Sequence, residues 1–370
     1  MGGLSTGQLN DIIYNFEICG NVKCVSPYGN GHINDTYIIT TDIDGKTEKK
    51  YILQRINTDV FKDPTELMCN IERVTAYLKD KSCSERETLT FVPTVSGDSF
   101  YTDSKSLCWR IYDYIDNSIC IELPDNIEDF YQCAVVFGKF QRYLDGFPAR
   151  ELYEVIPDFH NTPKRYNDFL KAVNDDVCGR ASNVSEEISF IKSRKDFYGC
   201  LIENNKSGLL PLRVCHNDTK CNNAMLDRNT HKALCAIDLD TVMPGFSVTD
   251  FGDSIRFGAS TAAEDERDIE KVLLDIDKFK IYTEGYLDGC GGMLKDSEIM
   301  LLPEGAKMMT VECGMRFLTD YLNGDTYFKI AYPEHNLVRC RTQLKLVKEM
   351  EMNWNTLKEI VKKYVKEQDI

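Results

Sequence analysis

Two short polar segments contain the residues best suited to chemistry. His216, Asp218 and Asn223 form the pattern H-x-D-x-x-x-x-N, and Asp238 follows Asn223 by fifteen residues. Phosphoryl transfer from ATP needs one carboxylate that accepts the proton of the attacking hydroxyl, and a second carboxylate and an amide that hold Mg²⁺ on the phosphates. The spacing therefore predicts Asp218 as the base and Asn223 and Asp238 as magnesium ligands. Lys220 would then offset the charge of the transferred phosphoryl group.

The same residue types also occur in ordinary polar turns, because Asn, Asp and Thr favour turn conformations. What favours catalysis is the order of three features along the chain: a β-rich region, the loop motif, and an Asp that follows an apolar, strand-like segment. A polar hairpin turn would require none of this order. The combination therefore favours a catalytic loop over a simple turn.

A second loop, with glycines at Gly29 and Gly31, precedes a strand-like run. Closely spaced glycines let backbone N–H groups approach a phosphate without obstruction by a Cβ atom. The pattern G-x-G-x-x-G is incomplete, because Asn34 stands at the third glycine position. The loop is thus predicted either to hold ATP phosphates or to form a tight turn. His32 would donate to a phosphate oxygen in the first case and cap the turn in the second.

The elements that position these loops differ between the two parts of the chain. In the first part, two strand-like runs flank an Asp44-Gly45 turn signal and predict a β-hairpin, and Pro64 opens a helical pattern. Two more strand-like runs, at 90–92 and 106–115, complete a small mixed sheet carrying one helix over residues 1–112. Residues 109–115 are predicted to join the two parts of the chain and to recognise adenine through the backbone.

Residues 113–370 have a mainly helical pattern. Two short apolar segments, 212–215 and 233–237, interrupt it and each ends in an acidic cluster, which predicts a hairpin with carboxylates at its strand ends. The fold class is therefore α+β, with a smaller β-rich and a larger helical part. The predicted helices span residues 130–144, 185–202, 265–286 and 342–366.

Composition excludes several classes of function. The 370 residues contain 44 Lys and Arg against 59 Asp and Glu, a formal net charge of −15, so binding to nucleic acid or to an anionic membrane surface is disfavoured. An anionic substrate must then be met by a local basic patch or a metal ion. The 15 cysteines are scattered without a C-x-x-C pair, which is typical of free thiols in a reducing compartment. A soluble, cytoplasmic protein is expected, and the oligomeric state is not predicted.

The chain resembles the aminoglycoside phosphotransferase–choline kinase superfamily nearly end to end. Within it, the similarity is strongest to the N-acetylhexosamine 1-kinases. The segments that carry the resemblance are 27–34, 51–54, 216–220, 237–245, 250–258, 312–318 and 332–337. The resemblance implies a protein-kinase-like bilobal fold, with a nucleotide-binding lobe at 1–112 and a catalytic, sugar-binding lobe at 113–370. It also implies MgATP as phosphoryl donor and an N-acetylhexosamine (GlcNAc or GalNAc) phosphorylated on its anomeric hydroxyl.

Carried over by position, the resemblance makes Asp218 the base and Asp238 a magnesium ligand. It places His32 in the phosphate loop and Arg316 in the sugar and phosphate region. For Arg316, burial against a carboxylate such as Glu312 is the competing interpretation.

One position departs from the protein-kinase pattern, which has a Lys on the third strand. Here Gln54 stands at that position, with Arg55 beside it, and only one of the two can face the nucleotide because strand neighbours point to opposite faces. If Gln54 faces it, no Lys–Glu pair with Glu72 forms. The phosphate charge is then expected to rest on Mg²⁺ and backbone amides.

Two other functions remain open from the sequence. One is a different small-molecule kinase of the superfamily, acting on choline, methylthioribose, homoserine or an aminoglycoside. The other is a nucleotide-binding pseudokinase, although such a protein has no need of Asp218. Asp250 and Asp253 are expected either to bind sugar hydroxyls or to brace the loop that carries Asp238.

Overall fold

A computed structural model describes residues 6–29, 34–82, 84–122 and 126–365. The N-terminal part is built on an antiparallel sheet of order β1-β2-β3-β6-β4, with β5 also paired to β6. Its strands are β1 (Asn21–Pro27), β2 (Asp35–Asp42), β3 (Glu48–Ile56), β4 (Phe91–Val92), β5 (Tyr101–Thr102) and β6 (Cys108–Asp113). The hairpin predicted around Asp44-Gly45 is confirmed, since β2 pairs with β3 across that turn.

Two helices flank the sheet: α1 (Thr6–Ile13) and α2 (Pro64–Lys81). The start of α2 is fixed by Pro64 at the first helical position and by Asp63, whose side chain accepts hydrogen bonds from the N–H groups of Thr65 and Glu66. The sheet buries one face against α1, and side chains on the opposite face point towards α2 and the rest of the chain.

Strand parity decides which polar residues face inwards. Tyr51 and Leu53 on β3 belong to the apolar cluster under α1. Because side chains alternate along a strand, Gln54 lies on the opposite face, where it is buried. Arg55 points away and forms an ion pair with Asp35 at 2.5 Å.

The C-terminal part is mainly helical and contains two small antiparallel sheets, β10-β9-β7 and β11-β8. Its strands are β7 (Ser118–Cys120), β8 (Arg213–Cys215), β9 (Ala224–Asp227), β10 (Ala233–Ala236) and β11 (Met243–Gly245). Its helices are α3 (Ile127–Tyr143), α4 (Thr162–Asp175), α5 (Ser185–Lys192), α6 (Cys200–Lys206), α7 (Ser247–Gly258), α8 (Ile276–Cys290), α9 (Asp296–Met300), α10 (Leu302–Leu322), α11 (His335–Met352) and α12 (Trp354–Lys362). The α+β class and the kinase-like arrangement, a β-sheet N-terminal region followed by a larger helical region, are thus confirmed.

The predicted hairpin between residues 212–215 and 233–237 is wrong. The first segment, β8, pairs with β11, and the second, β10, pairs with its neighbour β9. Apolar periodicity identified both strands but carries no information about pairing, which is set here by the turn at 228–232 and by the return of the chain at 243–245.

Helix ends account for the other differences. The helix predicted from 265 begins only at Ile276, where the Asp275 side chain accepts a hydrogen bond from the Lys278 N–H and so caps the first turn. The segment 185–202 is broken into α5 and the start of α6, and the C-terminal helix is interrupted at Asn353. Amphipathic spacing continued across each of these breaks, so the pattern alone did not reveal them.

None of the cysteines in the described ranges forms a disulfide, as the scattered spacing indicated. Over the same residues, no helix combines the length and the apolar character that a membrane crossing requires.

The close packing between α3 and α8 depends on glycine. A Cβ atom added at Gly138 would lie less than 3.0 Å from the Tyr286 carbonyl oxygen and from the backbone of Gly289. Gly138→Ala is therefore expected to lower the free energy of unfolding by about 1–3 kcal/mol through overpacking, although Ala is the better helix former. Denaturant titration measures the change.

The control is Gly199→Ala, because a Cβ there meets only the flexible end of Glu203. That variant should stay within about 0.5 kcal/mol of the wild-type protein. Equal stability of the two variants would contradict the packing argument.

Candidate active site

The predicted catalytic loop lies between β8 and β9, and the structure brings three of its predicted residues together. The Asp218 carboxylate forms an ion pair with the Lys220 ammonium, Oδ1 to Nζ, at 2.8 Å. Its other oxygen, Oδ2, accepts a hydrogen bond from the Asn223 amide at 3.1 Å. The Asp218 side chain remains 26% exposed, so a substrate hydroxyl can still approach it.

Charge neighbours keep Asp218 ionised. Burial by itself would raise its pKa, but the adjacent Lys220 ammonium, with smaller contributions from His216 and Arg256, holds the pKa of the Asp218 carboxyl below its ordinary value. Asp218 in turn raises the pKa of Lys220. The loop therefore presents a carboxylate, ready to accept a proton, beside a permanent cation.

The start of the loop is rigidly braced from within the helical part. Asp250 on α7 accepts hydrogen bonds from the backbone N–H groups of His216 and Asn217, both at 2.8 Å. Asp253, one turn further on, accepts from the Thr219 N–H at 3.0 Å. Of the two roles considered for Asp250 and Asp253, the structure supports bracing, but the loop they brace is the one that carries Asp218, not the predicted loop of Asp238.

His216 connects this loop to the next one. It is fully buried, packed edge-on against Phe137 and Phe140, and its Nε2 lies 2.8 Å from the carbonyl oxygen of Ile237. The Ile237 N–H donates to the carbonyl of Asn223 at 2.9 Å. These contacts place Asp238, the following residue, against the catalytic loop.

Asp238 sits in a left-handed backbone conformation, with φ of 59°, which Asp tolerates better than most residues. Its carboxylate makes no hydrogen bond or ion pair with any residue that the structure describes. Burial, followed by the nearby carboxylates of Asp240 and Asp218, raises the pKa of Asp238 to about 7. Asp218 and Asp240 each have a cationic partner, whereas no described cation pairs directly with the Asp238 carboxylate.

The donor set suits Mg²⁺ bound together with nucleotide phosphates. The Asn223 amide nitrogen is turned towards Asp218, which leaves the Asn223 Oδ1 for a cation, and the Asp238 carboxylate is unpaired. No group of three or more His, Cys, Asp or Glu side chains forms a metal cage within the described ranges. Mg²⁺ held by one or two protein oxygens plus phosphates needs no such cage.

On the N-terminal sheet, the predicted phosphate-binding residues are described only in part. Gly29 has a φ of +73°, and a Cβ added there would meet nothing within 4 Å. Gly31 and His32 lie outside the described residues. Gln54 faces inwards and lines a small cavity with Tyr112 and Asp238.

Gln54 does not pair with a helix carboxylate in the manner of a kinase lysine. Its Oε1 accepts from the Arg110 guanidinium, through Nε at 3.1 Å and Nη2 at 2.7 Å, and its amide donates to Thr36. Glu72 is exposed on α2, as expected of a surface helix residue. The inward cation at this place is therefore Arg110, on the neighbouring strand.

Arg316, on α10, lies among aromatic rings. Its guanidinium carbon is 5.4 Å from the ring centre of Phe159, 5.9 Å from that of Tyr327 and 5.6 Å from that of Phe328. Across the described residues, no carboxylate oxygen comes within 4.0 Å of its nitrogens. Glu312, the expected competitor, is occupied by Thr162 at 2.5 Å and His160 at 2.9 Å.

His160 connects this aromatic region to the catalytic loop. Its Nε2 lies 3.3 Å from the carbonyl oxygen of Asn217, the residue before Asp218. Arg316 is one helical turn from Glu312, the other partner of His160. Arg316 therefore lies on the helix whose Glu312 contacts the loop through His160.

Comparison with known proteins agrees with this geometry. A model of the phosphotransferase enzyme family, APH, matches residues 25–276. The chain belongs to this family. An aminoglycoside phosphotransferase from Alicyclobacillus acidocaldarius is 11% identical with a TM-score of 0.62, and the match covers 98% of each chain. A microcompartment-associated aminopropanol kinase is 14% identical with a TM-score of 0.63, over 96% of this chain and 99% of that one. Spectinomycin phosphotransferase, in complex with ADP and spectinomycin, is 12% identical with a TM-score of 0.60, over 95% and 99%.

Sequence reasoning missed two polar groups of this phosphotransferase. Arg110 lies in a strand-like run and belongs to no motif. The one signal in the sequence is the alternation of side chains along a strand, which puts Arg110 on the same face as Tyr112. His160 has no partner at metal-ligand spacing in the sequence and belongs to none of the motifs. Its contacts with Glu312 and Asn217 join residues more than fifty positions apart, and no local pattern encodes such contacts.

Proposed function

We propose that this phosphotransferase transfers the γ-phosphoryl group of MgATP to the anomeric hydroxyl of an N-acetylhexosamine. Residues 1–112 would bind the nucleotide, with Gly29, Gly31, His32 and Gln54 near the phosphates. Residues 113–370 would supply catalysis and hold the sugar. The observation that carries the choice of acceptor is the environment of Arg316.

An unpaired guanidinium beside aromatic rings suits a neutral, hydroxyl-rich acceptor. Rings provide apolar faces for a pyranose, and a few polar donors fix its orientation. The five N–H groups of a guanidinium can donate to hydroxyl or acetamido oxygens. Arg316 is also close enough to Arg165 to contribute, after burial, to the lowered pKa of Arg165, so two guanidiniums lie near each other here.

The same charges disfavour a cationic acceptor. Choline and aminoglycosides would be repelled by the two guanidiniums, and the ring faces that attract a quaternary ammonium are already near the Arg316 cation. Glu312, a possible partner for a substrate amine, is committed to His160 and Thr162. The phosphate of a sugar phosphate product, in contrast, can accept hydrogen bonds from the two guanidiniums.

The positions of the side chains support the following proposed reaction. The Asp218 carboxylate takes the proton of the anomeric hydroxyl while the hydroxyl oxygen of the sugar bonds to the γ-phosphorus. The bond between the γ-phosphorus and the bridging oxygen of the β-phosphate breaks, which releases ADP. Lys220 and Arg316 offset the negative charge of the transferred group. Asn223 and Asp238 would hold Mg²⁺, which, when bound, neutralises charge on the β- and γ-phosphates.

The test is ADP release from MgATP with GlcNAc, GalNAc, glucose, galactose, choline and kanamycin. Turnover on the N-acetyl sugars, with the phosphate found on C1 by NMR, is the expected result. Turnover on choline or kanamycin alone would retain the kinase activity and refute the proposed acceptor. ATP binding without turnover on any of them would favour a pseudokinase.

Arg316→Met provides a second test of the acceptor site. Loss of charge-assisted hydrogen bonds worth about 1.5–3 kcal/mol is expected to raise the KM of the sugar roughly 10- to 100-fold, while the KM of ATP changes less than about twofold. Arg341→Met is the control, since Arg341 pairs at the surface with Glu187. Equal shifts of both KM values in Arg316→Met would contradict a role in acceptor binding.

A further inference from the structure

Asp240, two residues after Asp238, is bound entirely by groups from the N-terminal part. Its Oδ2 accepts a hydrogen bond from the Asn34 amide at 2.6 Å, and its Oδ1 forms an ion pair with the Arg110 guanidinium at 2.6 Å. Both carboxylate oxygens are thus engaged, and the residue is only 3% exposed. The contact with Asn34 spans 206 positions of the chain.

The two partners of Asp240 are themselves fixed. Arg110 is 2% exposed and also donates to the Gln54 Oε1, through Nε and through the same Nη2 that contacts Asp240. The Asn34 Oδ1 accepts a hydrogen bond from the Asn57 N–H at 3.0 Å, just beyond β3. The Asn34 amide group is therefore oriented by the sheet, with its nitrogen towards Asp240.

The chain positions of these residues suggest their purpose. Asn34 ends the glycine-containing loop proposed to hold ATP phosphates, and Asp240 belongs to the segment that carries Asp238. A hydrogen bond between them ties the proposed phosphate loop to the proposed metal ligand. A buried pair of this kind fixes the relative position of two elements, because a shift of either one would leave a buried polar group unpaired, which is costly.

We propose that Asn34, Arg110 and Asp240 form a positioning cluster that holds the phosphate loop in register with the metal ligands, and so sets affinity for the magnesium–nucleotide complex but not for the acceptor. The proposal rests on the proposed function, since it assigns these residues to the nucleotide side of that site. Asp240 acts here through Asn34 and Arg110, with no direct part in the chemistry.

An exchange of charge between two partners tests the cluster. In Asn34→Asp, two carboxylates face each other. In Asp240→Asn, two amide groups face each other with their donors, and rotation of either amide would break its hydrogen bond or contact with Asn57 or Arg110. The double variant restores an amide–carboxylate pair with reversed polarity and the same net charge. Each single variant is expected to weaken MgADP binding by roughly tenfold or more, and the double variant to recover most of the loss.

Calorimetric titration of the full chain with ADP, with and without Mg²⁺, gives the affinities. Steady-state kinetics then separates the KM of ATP, expected to rise in the single variants, from the KM of the acceptor, expected to stay constant. Asn34→Ala, which removes the hydrogen bond without adding charge, replaces Asn34→Asp if the latter does not fold.

Gln132→Ala is the matched control. Gln132 is buried to a similar degree and also donates to a carboxylate, that of Glu128, while accepting from a backbone N–H, that of Ala233. Loss of a buried hydrogen bond should lower the Tm of Gln132→Ala and Asn34→Ala alike. If the cluster positions the phosphate loop, MgADP affinity should fall only in Asn34→Ala.

Two results would overturn the cluster. One is a double variant whose loss of MgADP binding free energy equals the sum of the losses in the two single variants. The other is loss of magnesium-dependent binding in Asp240→Asn with no change in either Asn34 variant, which would make Asp240 act on the metal directly. If wild-type protein failed to bind MgADP at all, the proposed function itself would fall, whereas unresponsive variants of a binding wild type refute only the cluster.

Discussion

Asp238→Asn is expected to lower kcat/KM for ATP at least about 10³-fold. Neutralisation of phosphate charge by a metal ion is worth several kcal/mol in the transition state, and each 1.4 kcal/mol is a factor of ten. Asp238 is the unpaired carboxylate next to Asn223, so no described neighbour is poised to replace it. Kinetics over a range of Mg²⁺ concentrations measures the effect, and near-wild-type kcat/KM would refute the assignment of Asp238 as a ligand.

The same substitution is expected to stabilise the protein when metal is absent. The raised pKa of Asp238, about 7, means that the folded state binds a proton more tightly than the unfolded state does. Folding stability from this group therefore falls as the pH rises from the unfolded carboxyl pKa through the folded one. In EDTA, Asp238→Asn should raise the Tm, and the gain should be larger at pH 8 than at pH 5.

Asp227→Asn, at the end of β9, is the control of opposite sign. Backbone N–H donation from Thr230 and the Arg86 guanidinium lower the pKa of Asp227, so its ionised form stabilises the fold. That variant should lose Tm at pH 8 and keep its activity. A gain of Tm in both variants would show that the loss of any carboxylate stabilises this acidic chain.

Local features of the site were predictable, and its long-range contacts were not. A segment of only six residues contains Asp218, Lys220 and Asn223. A single turn after β8 is therefore enough to bring their side chains into contact. The orientation of Gln54 and Arg55 needed the structure, because parity says that they oppose each other but not which face is buried. That choice depends on α1, which covers the face of Tyr51 and Leu53.

Pairing and bracing depend on the tertiary structure. Asp250 reaches the backbone of His216 only because α7 packs beside the loop, and the sequence left its role open between substrate and loop. Arg110 and Asp240 are 130 positions apart in the chain, and they meet because the buried inner face of β6 lies against the segment that follows β10. Neither contact has a periodic or spaced signature, since both depend on how separate elements meet.

Asp218→Asn is expected to lower kcat by about 10²–10⁴-fold, the usual contribution of a positioned general base. The amide keeps the shape of the carboxylate and can still meet Asn223, but it cannot accept the proton of the acceptor hydroxyl. MgADP affinity and the KM of the sugar should change only a few-fold. Single-turnover kinetics isolates the chemical step, and an unchanged rate there would exclude Asp218 as the base.

Stability separates the two carboxylates independently of activity. Despite burial, Lys220 holds the pKa of Asp218 below its ordinary value, so the ionised form stabilises the fold above the unfolded carboxyl pKa, and this contribution is lost as the pH falls through the folded pKa. Asp218→Asn should therefore lower the Tm at pH 8, and the deficit should shrink on acidification, opposite to Asp238→Asn. The proposed base, Asp218, has its counter-charge within the chain, whereas the proposed metal ligand, Asp238, would depend on a cation from outside. A common sign of the Tm change in EDTA would contradict that division of roles.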